Sequence, residues 1–193
     1  MRIFVTGGAG YIGSATSAAL LEAEHQVTIY DSLVKGYRQA VPAGAEFIQA
    51  DLADTSMLGE VFRSGNFDAV MHFAAFIEAG ESMQKPGRFF LNNFTNTIHL
   101  LDVMMEFNIK KLVFSSTAGI FASQDAPLDE ESPLGPASVY GQSKLMVENA
   151  LAWYQKIHGL RFAALRYFNA AGAMPERGEA HQPESHLIPL VLQ

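Results

Sequence analysis

The stretch Ile3-Phe4-Val5-Thr6-Gly7-Gly8-Ala9-Gly10-Tyr11-Ile12-Gly13 decides how the rest of the chain is read. Residues 3–6 form a short apolar run that leads straight into a glycine-rich turn. Residues 10–24 then carry Ile12, Ala15, Ala19 and Leu20 on one helical face. The glycines are spaced Gly7-x-x-Gly10-x-x-Gly13, overlapped by Gly8-x-Gly10-x-x-Gly13. This spacing permits a tight turn, lets backbone approach a pyrophosphate, and offers the helix's first N–H groups to its charge.

Working outward, residues 26–30 are apolar and β-branched and end at Asp31. A carboxylate at that strand end can accept both hydroxyls of an adenosine ribose, and it repels a 2′-phosphate. NAD is therefore favoured over NADP; an ordinary turn aspartate is the plainer alternative. Further strands are expected over residues 46–50, 68–73, 111–114 and 161–167, and helices near 56–64, over 88–107 and over 138–158. Gly159 is a natural C-cap for the last helix. Apolar strands alternating with helices predict an α/β fold: a Rossmann-like doubly wound parallel sheet with helices on both faces. Ligands bind such a sheet beyond the carboxyl ends of its strands. Asp51 and Leu52 follow the third strand, where an aspartate can accept from an adenine amino group.

Composition removes several function classes. The net charge is −7, with 13 Lys and Arg against 20 Asp and Glu, which argues against a nucleic-acid binder. The absence of cysteine excludes disulfides, thiolate zinc sites and thiol catalysis. No apolar run has the ~20 residues needed to span a bilayer, and the N-terminus lacks a signal-peptide layout. The expectation is a cytoplasmic protein with no membrane or nucleic-acid partner. His181 and His186 lie five apart, a spacing unsuited to a helical metal pair, and no metal site is expected. The acidic, proline-containing residues 124–137 read as a solvated loop.

Tyr140-Gly141-Gln142-Ser143-Lys144 supplies the candidate chemistry. A spacing of four puts Tyr140 and Lys144 on one helix face. A neighbouring ammonium stabilises phenolate, so the Tyr140 pKa is expected to fall and give a usable base. Ser115-Ser116-Thr117 directly follow the fifth strand, where a hydroxyl can hydrogen-bond a substrate oxygen and relay its proton.

Taken in order, Thr6 to Gly13, Asp31, Asp51-Leu52, His72-Phe73-Ala74-Ala75, Gly80-Glu81-Ser82, Asn92-Asn93, Ser115 to Thr117, Tyr140-x-x-x-Lys144, Arg166-Tyr167-Phe168-Asn169 and His186-Leu187-Ile188-Pro189 span the chain. The series resembles the extended short-chain dehydrogenase/reductase superfamily, and within it most closely the UDP-glucose 4-epimerases. The resemblance implies NAD, with Tyr11 and Ile12 on its pyrophosphate. It implies Asp31, Ser32, Lys35 and Gly36 around the adenosine ribose, and Asp51 and Leu52 at adenine. Phe73, Ala74, Ala75 and Asn92 are expected to line the cofactor, with Phe168 by the nicotinamide. Tyr140 is the implied base, Lys144 binds the nicotinamide ribose, and Thr117 stands where the family has Ser or Thr. Thr117, Tyr140, Asn169 and His186 are the implied contacts to a UDP-sugar substrate.

The resemblance also implies a homodimer through two helices per subunit, residues 88–107 and 138–158. Residues 1–169 are expected to form the NAD-binding domain and 170–193 the start of a substrate lobe. Members of the family continue well past 193 residues, so most of that lobe is expected to be missing. Related 4,6-dehydratases carry an acidic pair after the Thr. Ala118-Gly119 stand there instead and cannot transfer a proton, which disfavours dehydration. The expected reaction is C4′ inversion between UDP-glucose and UDP-galactose through a 4-keto sugar. A related nucleotide-sugar epimerase, or an NAD-binding module without turnover, is the alternative.

Overall fold

The computed structural model describes residues 1–174, 178–180 and 190–191. Six strands make one parallel sheet: β1 (Arg2–Thr6), β2 (Gln26–Asp31), β3 (Glu46–Gln49), β4 (Ala69–His72), β5 (Lys111–Ser115) and β6 (Arg161–Leu165). Their order is β3-β2-β1-β4-β5-β6. The chain winds outward from β1 in one direction and then, from β4, in the other. Loops on the two sides of β1 therefore diverge and leave a crevice at the strands' carboxyl ends. The sheet is the parallel, doubly wound one that the sequence predicts.

Alternation along β1 explains why both faces need cover. Phe4 points into a core that includes Tyr30, Phe62, Leu100, Met104 and Leu151, whereas Ile3 and Val5 join Val27 and Ile29 on the opposite face. The Phe4 ring contacts Tyr30, Phe62 and Phe67, with centroids 4.8–5.5 Å apart. The first core is capped by α2 (Thr55–Gly65), α5 (Asn96–Glu106) and α6 (Val139–His158), the second by α1 (Tyr11–Glu22). The buried positions of α1 are the small residues Gly13, Ser14, Ser17 and Ala18, which allow the helix to sit close to the sheet.

Helix ends follow local chemistry. Asp54 caps α2 by accepting from Met57 N at 3.0 Å, and Asn66 ends it in the left-handed region at φ 47°. Ser138 caps α6 by accepting from Gly141 N at 3.1 Å, and Gly159 ends it at φ 70°, as its position in the sequence predicts.

The helix expected over residues 88–107 is not one uniform α-helix. A short helix, α3 (Ala79–Gln84), precedes it, and α4 (Pro86–Phe89) passes through a π-helical segment (Phe90–Thr95) into α5. Periodicity alone misses the π segment because one added residue shifts the facing by only a fraction of a turn. Three strands are also shorter than read. β3, β4 and β6 stop at Gln49, His72 and Leu165, because the residues beyond them turn toward the crevice. The acidic loop 124–137 returns along residues 120–122, with Ala122 N donating to Pro133 O and Gly135 N to Ile120 O.

Candidate active site

One cavity of about 1020 Å³ lies at the carboxyl ends of the strands. Its floor is the glycine turn. Gly7 is left-handed at φ 70°, and a Cβ there would come within 2.5 Å of Ala74 N in the loop after β4. A Cβ on Gly13 would meet Gly7 O at 2.2 Å. These two glycines bring the turn against its neighbours, while Gly10 faces open space apart from Gly7 O at 3.4 Å. Gly10 is the N-cap of α1 and has no side-chain cap, and the first helical turn holds no acidic residue. Donors at that end are thus aimed at the cavity with no carboxylate of their own helix to answer them. Tyr11 and Ile12 line the wall beside them.

Asp31 sits at the end of β2, 9% exposed. Its Oδ2 accepts from Ala9 N and its Oδ1 from Leu33 N, both at 2.9 Å. The carboxylate therefore ties the glycine turn to the loop after β2, and each oxygen keeps a lone pair for a further donor. Burial raises its pKa, opposed by the two backbone N–H groups. Ser32, Lys35 and Gly36 line the same end of the cavity, and a Cβ on Gly36 would press on Ala9 at 2.9 Å. The Lys35 ammonium pairs with Glu78. Asp51 and Leu52 lie in the same wall, where Asp51 Oδ1 accepts from Ala53 N at 2.8 Å.

Phe73, Ala74 and Ala75 continue the lining after β4, and Asn92 reaches it from the π segment. Thr117, Tyr140 and Lys144 meet at the opposite end, with Phe168 and Asn169 at the rim. Every described residue that the sequence analysis assigned to cofactor or substrate thus borders a single cavity, whereas Gly8, His72, Ser82, Asn93, Ser116 and Arg166 lie behind it. His186 lies outside the described residues.

The electrostatics differ from the sequence reading in one respect. Burial pushes the Tyr140 phenol up to about 12, while the Thr117 hydroxyl pulls it the other way. Lys144 is 2% exposed, and burial brings its pKa down to about 7. The lowering of Tyr140 by an adjacent ammonium is therefore corrected. Lys144 Nζ lies 6.0 Å from the Tyr140 ring centroid, donates to Ser115 O at 2.8 Å, and sits over the Phe114 ring at 4.9 Å. Desolvation costs both charged forms more than their mutual attraction returns.

Several supporting residues carry no assigned role in the sequence reading. Asn93 is buried, and its amide is fully used. Its Oδ1 accepts from Phe76 N and Asn92 Nδ2, and its Nδ2 donates to Phe76 O and to Ser143 Oγ at 3.1 Å. Ser143 Oγ in turn donates to Tyr140 O at 2.7 Å, and Tyr140 N donates to Ser82 Oγ at 3.1 Å. The start of α6 is thereby fastened to the loop after β4. Tyr167, also in the cavity wall, shares a short hydrogen bond with Ser115 Oγ. Below them Ser116 Oγ donates to Glu148 at 2.5 Å, and Arg166 closes on the same carboxylate at 2.7 Å. The paired Asn92-Asn93 and the run Arg166-Tyr167 signal these residues, but their partners lie 17 to 52 positions away. His72 is held between Thr6 and Thr97 hydroxyls at 2.6 and 2.8 Å and stays neutral, its pKa pushed down to about 3 mainly by burial. Among the described residues, no group of three or more His, Asp or Glu side chains is placed to hold a metal.

Comparison with known proteins gives concordant results. The family described as NAD dependent epimerase/dehydratase matches residues 3–193. The UDP-glucose 4-epimerase of Streptococcus mutans is 48% identical, over 100% of this chain and 60% of its own length. The crystal structure of the Brucella ovis UDP-glucose 4-epimerase in complex with NAD superposes with a TM-score of 0.94 at 38% identity, covering 98% of this chain and 59% of that one. The Bifidobacterium longum enzyme in complex with NAD+ and UDP gives 0.89 at 32% identity, covering 94% and 58%. The chain spans about 60% of the length of the curated relatives it matches.

Proposed function

Because the chain belongs to the NAD dependent epimerase/dehydratase family, we propose that it acts in the interconversion of UDP-glucose and UDP-galactose by inversion at C4′. The observation that carries this is the meeting of Tyr140 and Thr117 with the glycine turn and Asp31 on one cavity. Relatives named UDP-glucose 4-epimerase support the substrate.

The residues fit NAD. The uncapped α1 N-terminus suits a pyrophosphate, and a Cβ at Gly7 or Gly13 would push the turn out of shape. Asp31 keeps acceptor capacity for ribose hydroxyls and would repel a 2′-phosphate. Ser32, Lys35, Gly36, Asp51 and Leu52 are assigned to the adenosine side, Phe73, Ala74, Ala75 and Asn92 to the lining along the cofactor, and Phe168 to the nicotinamide. When bound, NAD supplies reversible hydride acceptance at C4′, which gives a 4-keto sugar and, on return to its other face, the inverted alcohol.

The chain's own residues handle the proton and the orientation. Tyr140 is assigned as acceptor of the 4′-hydroxyl proton in its phenolate form, which burial makes scarce at neutral pH in the ligand-free chain, and Thr117 as the hydrogen-bond partner of the same substrate oxygen. Lys144, whose ammonium and amine forms are about equally populated near pH 7, is assigned to the nicotinamide ribose, and its ammonium form stabilises negative charge that develops beside it. Asn169 and His186 are assigned to the substrate phosphates. Ala118 and Gly119, in a short 3₁₀ turn after Thr117, offer no proton donor, so inversion is favoured over dehydration. We assign residues 1–169 to cofactor binding and 170–193 to the start of the substrate lobe. We also assign the protein to the cytoplasm. A homodimer through α6 and the helical run of residues 86–106 fits the exposure of Trp153, Ile157 and Leu91.

The test is conversion of UDP-galactose followed by NMR at C4′, with bound NAD measured in parallel. Tyr140→Phe is expected to lower turnover about 10²–10⁴-fold while NAD stays bound. The length ratio favours a second reading, an NAD-binding module without turnover. NAD binding without conversion establishes that reading, and absence of both removes the two together.

A further inference from the structure

Lys35 belongs to the loop after β2, and Glu78 to the loop after β4 at the N-cap of α3. Those strands are the two neighbours of β1 in the sheet. A bond between the two loops therefore crosses the carboxyl end of β1, where the glycine turn lies. Lys35, Glu78 and the turn all border the same cavity. The ion pair is sheltered, its side chains 35% and 15% exposed. Glu78 is further fixed by Ile77 N, which donates to its Oε2 at 3.1 Å. The Lys35 loop is anchored independently: Tyr37 N donates to Ala9 O at 2.9 Å, and Gly36 packs on Ala9. The Lys35 loop is thus held at Ala9, and the Glu78 loop at Phe76, whose backbone pairs with the Asn93 amide.

We propose that the Lys35–Glu78 ion pair is a clasp over the dinucleotide site that slows release of NAD. The proposal rests on the dinucleotide reading above and adds Glu78, whose carboxylate needs no contact with the ligand. The β2 and β4 loops flank the glycine turn, so a dinucleotide that leaves over the turn passes between them. Opening them separates two charges in a half-sheltered setting, which raises the barrier to exit more than it changes the chemistry inside. The competing use of Lys35 is as a direct phosphate ligand from which Glu78 distracts it. The two uses predict opposite effects at Glu78.

The experiment measures the NAD dissociation rate of the intact chain by stopped-flow displacement, for wild type, Glu78→Gln, Lys35→Met, the double variant and the swap Lys35→Glu/Glu78→Lys. A clasp predicts that Glu78→Gln and Lys35→Met each speed release about fivefold, near the upper worth of a partly exposed pair. The double variant should be no faster than either single one, and the swap should restore most of the slow rate. Added salt should speed release from wild type and leave the double variant nearly unchanged. Slower release from Glu78→Gln with faster release from Lys35→Met overturns the clasp in favour of a phosphate ligand. Unchanged rates in both, with melting temperatures intact, also overturn it. If wild type binds no NAD, the dinucleotide reading falls and the clasp with it; if NAD binds and only the rates disagree, the clasp alone falls.

Discussion

Lys144 shows how burial can reverse an expectation drawn from neighbouring charges. In sequence it stands one helical turn from Tyr140, and the simplest electrostatics makes it a permanent cation beside a phenol. In the folded chain its ammonium is desolvated, satisfied by one carbonyl and one aromatic face, and its pKa falls to about 7. A depressed lysine pKa has a stability consequence. Between about 7 and the ordinary value of 10.5, the unfolded chain binds more protons than the folded one. Stability therefore rises with pH across that window and is lost as pH falls through about 7. Tyr140 acts at the far edge: its raised pKa makes stability decline again above pH 10. Thermal unfolding from pH 7 to 9.5 should show a rising Tm for wild type and a flatter profile for Lys144→Met. Equal slopes in the two proteins would disprove the assignment.

At the scale of elements, the β1–turn–α1 unit divides its glycines between two tasks. Gly13→Ala places a methyl 2.2 Å from Gly7 O, so backbone must move, and a loss of about 1–3 kcal/mol is expected from overpacking. Gly10→Ala meets only Gly7 O at 3.4 Å and should change stability little. Chemical denaturation of both variants checks the contrast; equal losses would contradict it. The π segment is the counterpart on the other side of the crevice. Its extra residue brings Asn92 to the cavity wall while Asn93 holds the Phe76 backbone and Ser143. The doublet Asn92-Asn93 is visible in the sequence. Which asparagine faces the cavity and which becomes a brace depends on the helix being locally underwound, and no periodicity registers that.

For the whole molecule, the helices of residues 86–106 and α6 cover one sheet face and still expose large apolar side chains. Trp153 is 59% and Ile157 65% exposed, on the turns of α6 farthest from Tyr140. The proposed dimer would bury such positions. Light scattering on the eluted protein is expected to give a dimer for wild type and a monomer for Trp153→Glu/Ile157→Glu, with NAD binding retained. A monomeric wild type would remove the dimer. The sheet edge gives a second observation at this scale. Leu165 on β6 is 43% exposed, and Phe168, on the cavity rim, 68%.

Sequence by itself determined the strand–turn–helix opening, the parallel sheet, the strand ends that lead to Asp31 and Thr117, and the Tyr140–Lys144 pairing on one helix face. It could do so because those features are local: glycine freedom, apolar runs and a four-residue helical repeat act within one or two turns of chain. Tertiary structure alone decided the protonation balance of Tyr140 and Lys144, the bracing by Asn93 and Tyr167, and the Lys35–Glu78 bridge. Each of those depends on how much water is excluded, or on groups far apart in sequence meeting, and both are settled only when the two halves of the sheet close around one crevice.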